Sequence, residues 1–587
     1  GYDKHGNVTS VTDPMGNVTE YGVDLNGNVT KITLPNGGEY RYAYDKAGRI
    51  TRMTSPLGYE KKLGYDLADN VVKESDSLGS TTTYTYDRVH NVTSMTNAMG
   101  GTSSFGYDAA GNLTSVTDAL GRTDTYAYDL AGRLVALADP LGKVTSVTYD
   151  PAGNITSLAR PGGRTTSYDY DNNYNLTSVT DPLGYVEQAI YDKDDWMTQR
   201  TDALDQKENW TYDADGRVVA YTNKKGDTNG YEYDPHGNVV TLTDFMGVKS
   251  HFEYDANDNL VKVTDPLGNV TKYDYDVMGN MTSYEDARGK VTKYTYDLEG
   301  NLTSREDPAG RKEQYGYDEM GRLTSWTMPS GKKVKYDYDK LNNLLEKSYE
   351  DAKESDGSGD AGSDGNASGS GNVGDDVKNG LRVTYAYNGA GERVAMQDVT
   401  GESTYEYDAL GRLSKVTNGS GKEVSYIYDE ADNLAAVVYP DGTQVSYEYD
   451  LNDNIVKVTD REGKVTEYTH DALNRVTGTV RPNGTRTEVT YDAEDHVTKL
   501  VNICGDCGEV ISSYEYAYNA QGYIVSETTT ELVVGSSKEP SWDEWYGSCT
   551  TGAAGRAIGR GVSKYLGELP FPLTRNRYAY ALNNPLN

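Results

Sequence analysis

Cysteine is nearly missing from this sequence, with three residues in 587. Three thiols cannot build a disulfide framework, and they leave the redox compartment open. Histidine is scarce too, at six residues, and phenylalanine is held to 4 where tyrosine reaches 52. Basic residues are outnumbered 56 to 90, which leaves a net charge of −34. A phosphate backbone or an anionic membrane surface would be repelled by such a chain, so neither is expected as a partner. The charge suits solubility first, then weak divalent-cation binding or a basic partner. No run of 18 apolar residues occurs, so no membrane span is expected. An initiator methionine and a signal peptide are also missing. The chain opens at Gly1-Tyr2 inside a repeat unit and stops at Asn587, as expected of a piece of a longer protein.

What is present is a period. Tyr-Asp pairs stand at Tyr2, Tyr44, Tyr65, Tyr86, Tyr107, Tyr128 and Tyr149, and continue at steps of 21 residues to Tyr338; Val23-Asp24 keeps the register at the one missing member. The series resumes at Tyr387 and Tyr407, runs through Tyr428, Tyr449, His470 and Tyr491, and ends on a stretched unit at Tyr518. About 24 units of this length make a repeat architecture, because chance does not hold such a register.

One unit shows how the period is spent. Between Tyr107 and Tyr128 lie two turns, Asp108-Ala109-Ala110-Gly111 and Asp118-Ala119-Leu120-Gly121. Aspartate first and glycine fourth is the preference of a type I turn, and elsewhere proline takes the second place, as in Asp181-Pro182-Leu183-Gly184. The aspartate accepts a backbone N–H two residues on, and glycine tolerates a left-handed exit. Two short antiparallel strands fill the rest of the unit, so successive units form one continuous meander.

The strand before each Tyr-Asp alternates. An aromatic residue stands two before the tyrosine (Tyr84, Phe105, Tyr126, Trp210, Tyr273), and small or polar residues stand between them. One face is therefore an aromatic ladder and the other is wet. The other strand starts with Val92, Leu113, Ile155 or Leu260, and its second apolar residue follows three positions later (Met95, Val116, Leu158, Val263). Strict alternation would put these on opposite faces, so either a bulge or a sheet buried partly on both sides is required.

A lone hairpin is unstable in water, so neighbouring units must supply the burial. Some 48 strands at about 4.8 Å would make a ribbon on the order of 230 Å long, which must curl and hide its aromatic face. The expected fold is all-β: tandem 21-residue hairpin repeats coiled into a large hollow β-sheet shell or spiral barrel. Tyrosine rather than phenylalanine on the ladder fits a partly wet interior in which the hydroxyl keeps a partner.

The array divides as 1–350, the first part of the wall; 351–379, an acidic Gly/Ser/Asp-rich insertion expected to be disordered; 380–527, the second part; and 528–587, a degenerate cap. Cys504-Gly505-Asp506-Cys507 interrupts the second part. Its readings are hairpin-tip cysteines without a special role, a disulfide, or a metal or redox site formed by Cys504 and Cys507; zinc would need two more ligands, and Cys549 is the remaining thiol. Neither a cofactor nor a resident metal is expected.

The unit Tyr-x-Tyr-Asp-x-x-Gly-Asn-Leu-Thr-Ser-Val-Thr-Asp-Pro-x-Gly resembles the YD repeat of RHS-repeat proteins over nearly the whole chain. The end, Arg577-Tyr578-Ala579-Tyr580-Ala581-Leu582-Asn583-Asn584-Pro585, resembles the close of the RHS repeat-associated core. The resemblance implies bacterial polymorphic toxins, shell subunits of insecticidal toxin complexes and the YD-shell of teneurins. In these the repeats wind into a cocoon around a C-terminal toxin, which an aspartyl autoprotease in the core segment releases. Here the region before Asn583 is short and reads differently, and no catalytic aspartate is carried over. The resemblance thus implies a secreted or surface-located bacterial structural shell whose partner is a C-terminal effector domain.

Two other functions compete. An adhesin would use the aromatic ladder to stack on cell-surface glycans or would bind a surface protein. An enzyme would need one unique constellation, whereas this chain repeats itself. His5, His90, His236 and His496 sit at or beside turns, and His470 replaces a ladder tyrosine. The Asn-x-Thr triplets at Asn91, Asn112, Asn154 and Asn301 are formal glycosylation acceptors, but they fall in the Gly-Asn of the turn, where the repeat explains them.

Overall fold

The computed structural model describes residues 1–350 and 382–531; the expected insertion at 351–379 and the cap beyond residue 531 lie outside the described residues. Among the described residues are 47 β-strands, from Ser10–Thr12 to Ile524–Glu531, one 3-10 turn at Pro161–Gly163, and no α-helix. The chain forms two compact units. Of the described residues, the first comprises Gly1–Thr222 and those between Thr228 and Gly463, and the second comprises Asn223–Asp227 and those from Lys464 to Glu531.

In the first unit each strand pairs antiparallel with the next. Thr102–Tyr107 pairs with Leu113–Thr117, that strand with Thr123–Tyr128, and that one with Leu134–Ala138. Strands of six and five residues alternate because the residue after each turn glycine closes the turn instead of entering the ladder. In the Asp108 turn, the Gly111 N–H donates to the Asp108 carbonyl at 3.1 Å, and the Asp108 N–H donates to the Asn112 carbonyl at 2.9 Å. This is a three-residue hairpin loop with a left-handed third residue, and Gly111 has φ +89°.

The conflict over faces resolves as a bulge. Phe105 pairs with Val116 and Gly106 with Ser115, but Tyr107 pairs with Leu113, so Thr114 is passed over. With one residue absorbed, Leu113 and Val116 share the face carrying Phe105 and Tyr107. The same shift recurs at Tyr128, Tyr149, Tyr170 and Tyr191. Aromatic pairs then meet across the strands: Trp210 lies 5.5 Å from Tyr221, and Tyr273 lies 5.6 Å from Tyr284. The alternating residues Thr125 and Ala127 are exposed, while Tyr126 and Tyr128 are half-buried.

Among the described residues buried apolar side chains are few: Val334, Ala436, Ile503 and Cys504. A packed sandwich would bury a whole face, so this wall is one sheet thick.

The second unit repeats the pattern in six strands, from Val465–His470 to Ile524–Glu531, with bulges at His470, Tyr491 and Tyr518. His470 occupies the ladder position, pairing with Val476 as Tyr107 pairs with Leu113.

Candidate functional site

The recurrent polar site of the repeat is the turn carboxylate. Asp108 Oδ1 accepts the N–H groups of Ala110 and Asn112, both at 2.9 Å, and the Asn112 side-chain amide donates to Oδ2 at 2.9 Å. The Asn112 amide, then the backbone N–H groups, hold this carboxyl below the usual carboxylate range. The asparagine of Gly-Asn is thus a turn residue whose side chain is spent on the aspartate. Arginine takes the same place in other turns: Arg122 Nε donates to Asp118 Oδ2 at 2.6 Å, next to the turn that ends in Gly121.

Where the arginine follows a Tyr-Asp turn it reaches into the next unit. Arg133 donates to Asp129 Oδ2 at 2.8 Å and to the Asp150 carbonyl at 3.2 Å, and its guanidinium lies 4.7 Å over the Tyr149 ring. Arg49, Arg217, Arg322, Arg412 and Arg475 stack likewise on Tyr65, Tyr233, Tyr338, Tyr428 and Tyr491.

The tyrosine itself carries a specific bond. Tyr128 Oη donates to the Leu113 carbonyl at 2.9 Å, just beyond the last ladder pair of that hairpin, Ser115 with Thr125. Tyr44, Tyr65, Tyr86, Tyr149 and Tyr191 make the same bond to the residue 15 positions earlier. The hydroxyl therefore has a partner, as expected from the sequence, and the partner is backbone.

A second set of contacts joins distant turns within the first unit. Asn257 accepts the Met15 N–H at 3.2 Å, Glu299 accepts the Leu57 N–H at 3.1 Å, and Glu319 accepts the Ser77 hydroxyl at 2.8 Å; each pair is 242 residues apart. In each, a turn of the Asp-Pro-x-Gly type meets a Tyr-Asp turn about eleven and a half periods later. The row continues through Arg122 with Glu392 at 2.6 Å, Lys143 with Asp432 at 3.1 Å, and Asn452 with Asp181 at 2.6 Å. Arg164, whose side chain is 7% exposed, pairs with Asp453 at 2.6 Å. Backbone closes in as well: a Cβ on Gly101 would stand 2.5 Å from the Gly389 carbonyl. The first unit is a coil whose successive rounds are sewn along their turns. In the second unit, the turn at Asn223–Asp227 makes the same kind of contact, with the Lys224 N–H donating to Glu494 at 2.9 Å and Lys225 paired to Asp492 at 2.7 Å.

Cys504 and Cys507 come together in the hairpin joining Val497–Ile503 to Val510–Tyr518. Neither is in a disulfide; Cys504 is buried and Cys507 exposed. The Cys507 N–H donates to Cys504 Sγ at 3.4 Å, and hydrogen bonding to Cys504 raises the Cys507 thiol above its ordinary value, away from thiolate reactivity. Among the described residues no group of three or more His, Cys, Asp or Glu side chains is placed to hold a metal. Three histidines are turn fittings: His90 sits in the left-handed position, His236 pairs with Asp258 at 3.0 Å, and His496 stacks 4.6 Å from Tyr518. Arg577, Tyr578, Tyr580, Asn583, Asn584 and Pro585 lie outside the described residues. Among the described residues, no helix is long and apolar enough to cross a membrane.

Two family models match the chain. The RHS Repeat model matches residues 23–60, 65–102, 107–144, 149–186, 191–228, 212–248 and 449–486, and the Teneurin YD-shell model matches 231–354 and 372–466. No curated protein matches the chain. Among solved structures, the crystal structure of TcdB2-TccC3-TEV is similar at 12% identity and TM-score 0.56, over 88% of this chain and 33% of that one. The Photorhabdus luminescens Tc holotoxin pore is similar at 13% identity and TM-score 0.55, over 84% and 32%. TcdB2-TccC3 without its hypervariable C-terminal region gives 14% identity and TM-score 0.55, over 89% and 35%. At these identities the likeness is one of fold, and the chain spans about a third of the length of those chains.

Proposed function

Because this chain belongs to the RHS/YD-repeat family, we propose that it is a non-enzymatic wall segment of a shell that encloses a C-terminal effector domain and helps deliver it. The observation that carries the reading is the turn-to-turn seam. A single-layer sheet hides its ladder face only by winding on itself, and turn-to-turn contacts, 242 residues apart at Met15, Leu57 and Ser77 and 270 to 289 apart from Arg122 on, are consistent with that winding. The similar solved structures include a Tc holotoxin pore and a form lacking a hypervariable C-terminal region, which supports an exported bacterial protein whose cargo varies behind a common wall. The same economy supports the non-enzymatic reading. Carboxylates, arginines and tyrosine hydroxyls such as those of Asp108, Arg133 and Tyr128 are engaged by turns, stacking and backbone carbonyls.

The adhesin reading gains less. A ladder tyrosine that is half-buried and bonded through its hydroxyl to backbone offers a sugar little free face. Small-angle scattering from the whole chain tests the shell: a hollow wall gives a pair-distance distribution skewed to long distances with a sharp first minimum in intensity. A profile fitted by a solid particle of the same mass would refute it.

A further inference from the structure

Among the described residues, every turn but one is fixed where it starts. Most start with aspartate or asparagine, and at Asp108 and Asn388 the side-chain oxygen accepts the backbone N–H groups two and four residues on. The described turns that start otherwise, Cys504 aside, carry proline next, at Pro35, Pro56, Pro161, Pro329, Pro440 and Pro482. Proline fixes φ in the unfolded chain and so replaces what the side-chain bonds supply. The exception is Cys504-Gly505-Asp506-Cys507-Gly508, which has neither device. Its loop is also one residue longer: the Cys504 N–H donates to the Glu509 carbonyl at 2.8 Å, five residues on, where the Asp108 N–H reaches four. Cys504 occupies the place of the turn aspartate, and its Sγ accepts the Cys507 N–H at 3.4 Å. Sulfur is a weak acceptor, so this contact holds the turn less firmly than a carboxylate does. Yet the tip sits in close packing. Cys504 is 2% exposed, Thr485 and Ser512 are buried nearby in the chain, and a Cβ on Gly505 would overlap the Gly484 carbonyl.

We propose that Cys504 and Cys507 are the missing lock: a thiol pair that closes to a disulfide across the turn, in place of the aspartate, asparagine or proline that fixes the others. The first and fourth residues of a turn lie within about 7 Å, a span a disulfide tolerates. The Cys507 N–H already rests on Cys504 Sγ, so rotation of the exposed Cys507 side chain brings sulfur to sulfur. The oxidant is a small disulfide such as oxidised glutathione. Cys507 gives up its proton and attacks one sulfur of the oxidant, which forms a mixed disulfide and releases one glutathione thiol. Cys504 then loses its proton and attacks Cys507 Sγ, and the second glutathione leaves as a thiol. The two thiol protons and two electrons of the pair thus pass to the oxidant. Hydrogen bonding to Cys504 raises the Cys507 thiol, so the first step quickens as pH rises. Closure does not depend on what the wall encloses, and its failure would leave the shell reading untouched.

The whole chain, incubated with oxidised glutathione, quenched in acid, alkylated, digested and weighed by mass spectrometry, tests this. Expected is one peptide carrying both cysteines, two hydrogens lighter than its reduced form and closed to alkylation. Cys504→Ser should stall after the first step, with glutathione retained on Cys507. Cys507→Ser should leave the buried Cys504 as a thiol; position 507 is exposed, so this variant keeps the fold, and far-UV circular dichroism checks both. In the unmodified chain, amide exchange from Gly505 to Glu509 should slow by about tenfold on closure, the effect of linking so short a loop. Three results overturn the proposal: glutathione that stays on Cys507 of the unmodified chain, a link from either cysteine to Cys549, or two thiols left unchanged. Closure without slower exchange at the tip overturns it too, because the link would then not be what fixes the turn.

Discussion

At the residue scale, each unit is held by groups that serve backbone. The tyrosine of Tyr-Asp is the clearest case, since its ring packs on the ladder face and its hydroxyl caps a carbonyl the ladder does not reach. Phenylalanine would keep the packing and orphan the carbonyl, which accounts for tyrosine in place of phenylalanine at these positions. Tyr128→Phe is therefore expected to cost about 1 kcal/mol. Urea denaturation reads the loss, and faster amide exchange between Leu113 and Tyr128 locates it; unchanged exchange there would remove the hydroxyl from the account. The left-handed turn position gives a change of opposite sign. Tyr174 holds φ +69° with a largely exposed side chain, where most units place glycine. Tyr174→Gly relieves the Cβ penalty, offset in part by the greater freedom of unfolded glycine, and should raise stability by about 0.5–1 kcal/mol in the same measurement.

At the element scale, the bulge is what lets a unit work. Leu113 and Val116 are three residues apart and face the same way because Thr114 is absorbed. Deleting Thr114 forces the strand into plain alternation and turns one of the two apolar side chains to the wet face. The loss should be about 2 kcal/mol, the burial of one leucine or valine. Thr114→Ala, which keeps the residue count, should stay within about 0.5 kcal/mol. If the two variants melt alike, chain length at the bulge is irrelevant. This element also marks the boundary of what the sequence discloses. The turns and the ladder face are legible because Asp108, Gly111, Asn112 and Tyr126 act on neighbours a few residues away. The bulge is legible as a contradiction, since Leu113 and Val116 cannot both be buried without one. The seam is not legible, because Leu57 and Glu299 meet across 23 intervening strands and neither carries a local signature.

At the scale of the whole molecule, the repeat turns small local effects into a pH window. Asp24, Asp66, Asp108 and Asp150 are held below the ordinary carboxylate range by asparagine amides first and by backbone N–H groups next. A carboxyl with a depressed folded pKa contributes stability that is complete above the unfolded value and is lost as pH falls through the folded one. The array should therefore hold down to about pH 4 and weaken below it. The tyrosines act on the other side. Burial, then the nearby Asp429 carboxylate, pushes Tyr449 up to about 12, and burial followed by the hydrogen bond to Glu313 pushes Tyr315 up to about 12. A raised folded pKa gives stability that is complete below the unfolded value and is lost as pH rises, so the alkaline limit should open near pH 10 and run to about 12. The net charge of −34 opposes folding between these limits by self-repulsion, but that repulsion is long-range and falls off over about 8 Å at physiological salt. Turn and tyrosine bonds are short-range and escape such screening. Salt should thus raise the melting temperature at pH 7 and leave the acid and alkaline limits nearly where they were. Melting curves across pH 3–12 at low and physiological ionic strength check this, with phenolate absorbance following the tyrosines. If salt moved the limits as much as it moved the plateau, diffuse charge and not the repeated turn and tyrosine bonds would govern the stability of the wall.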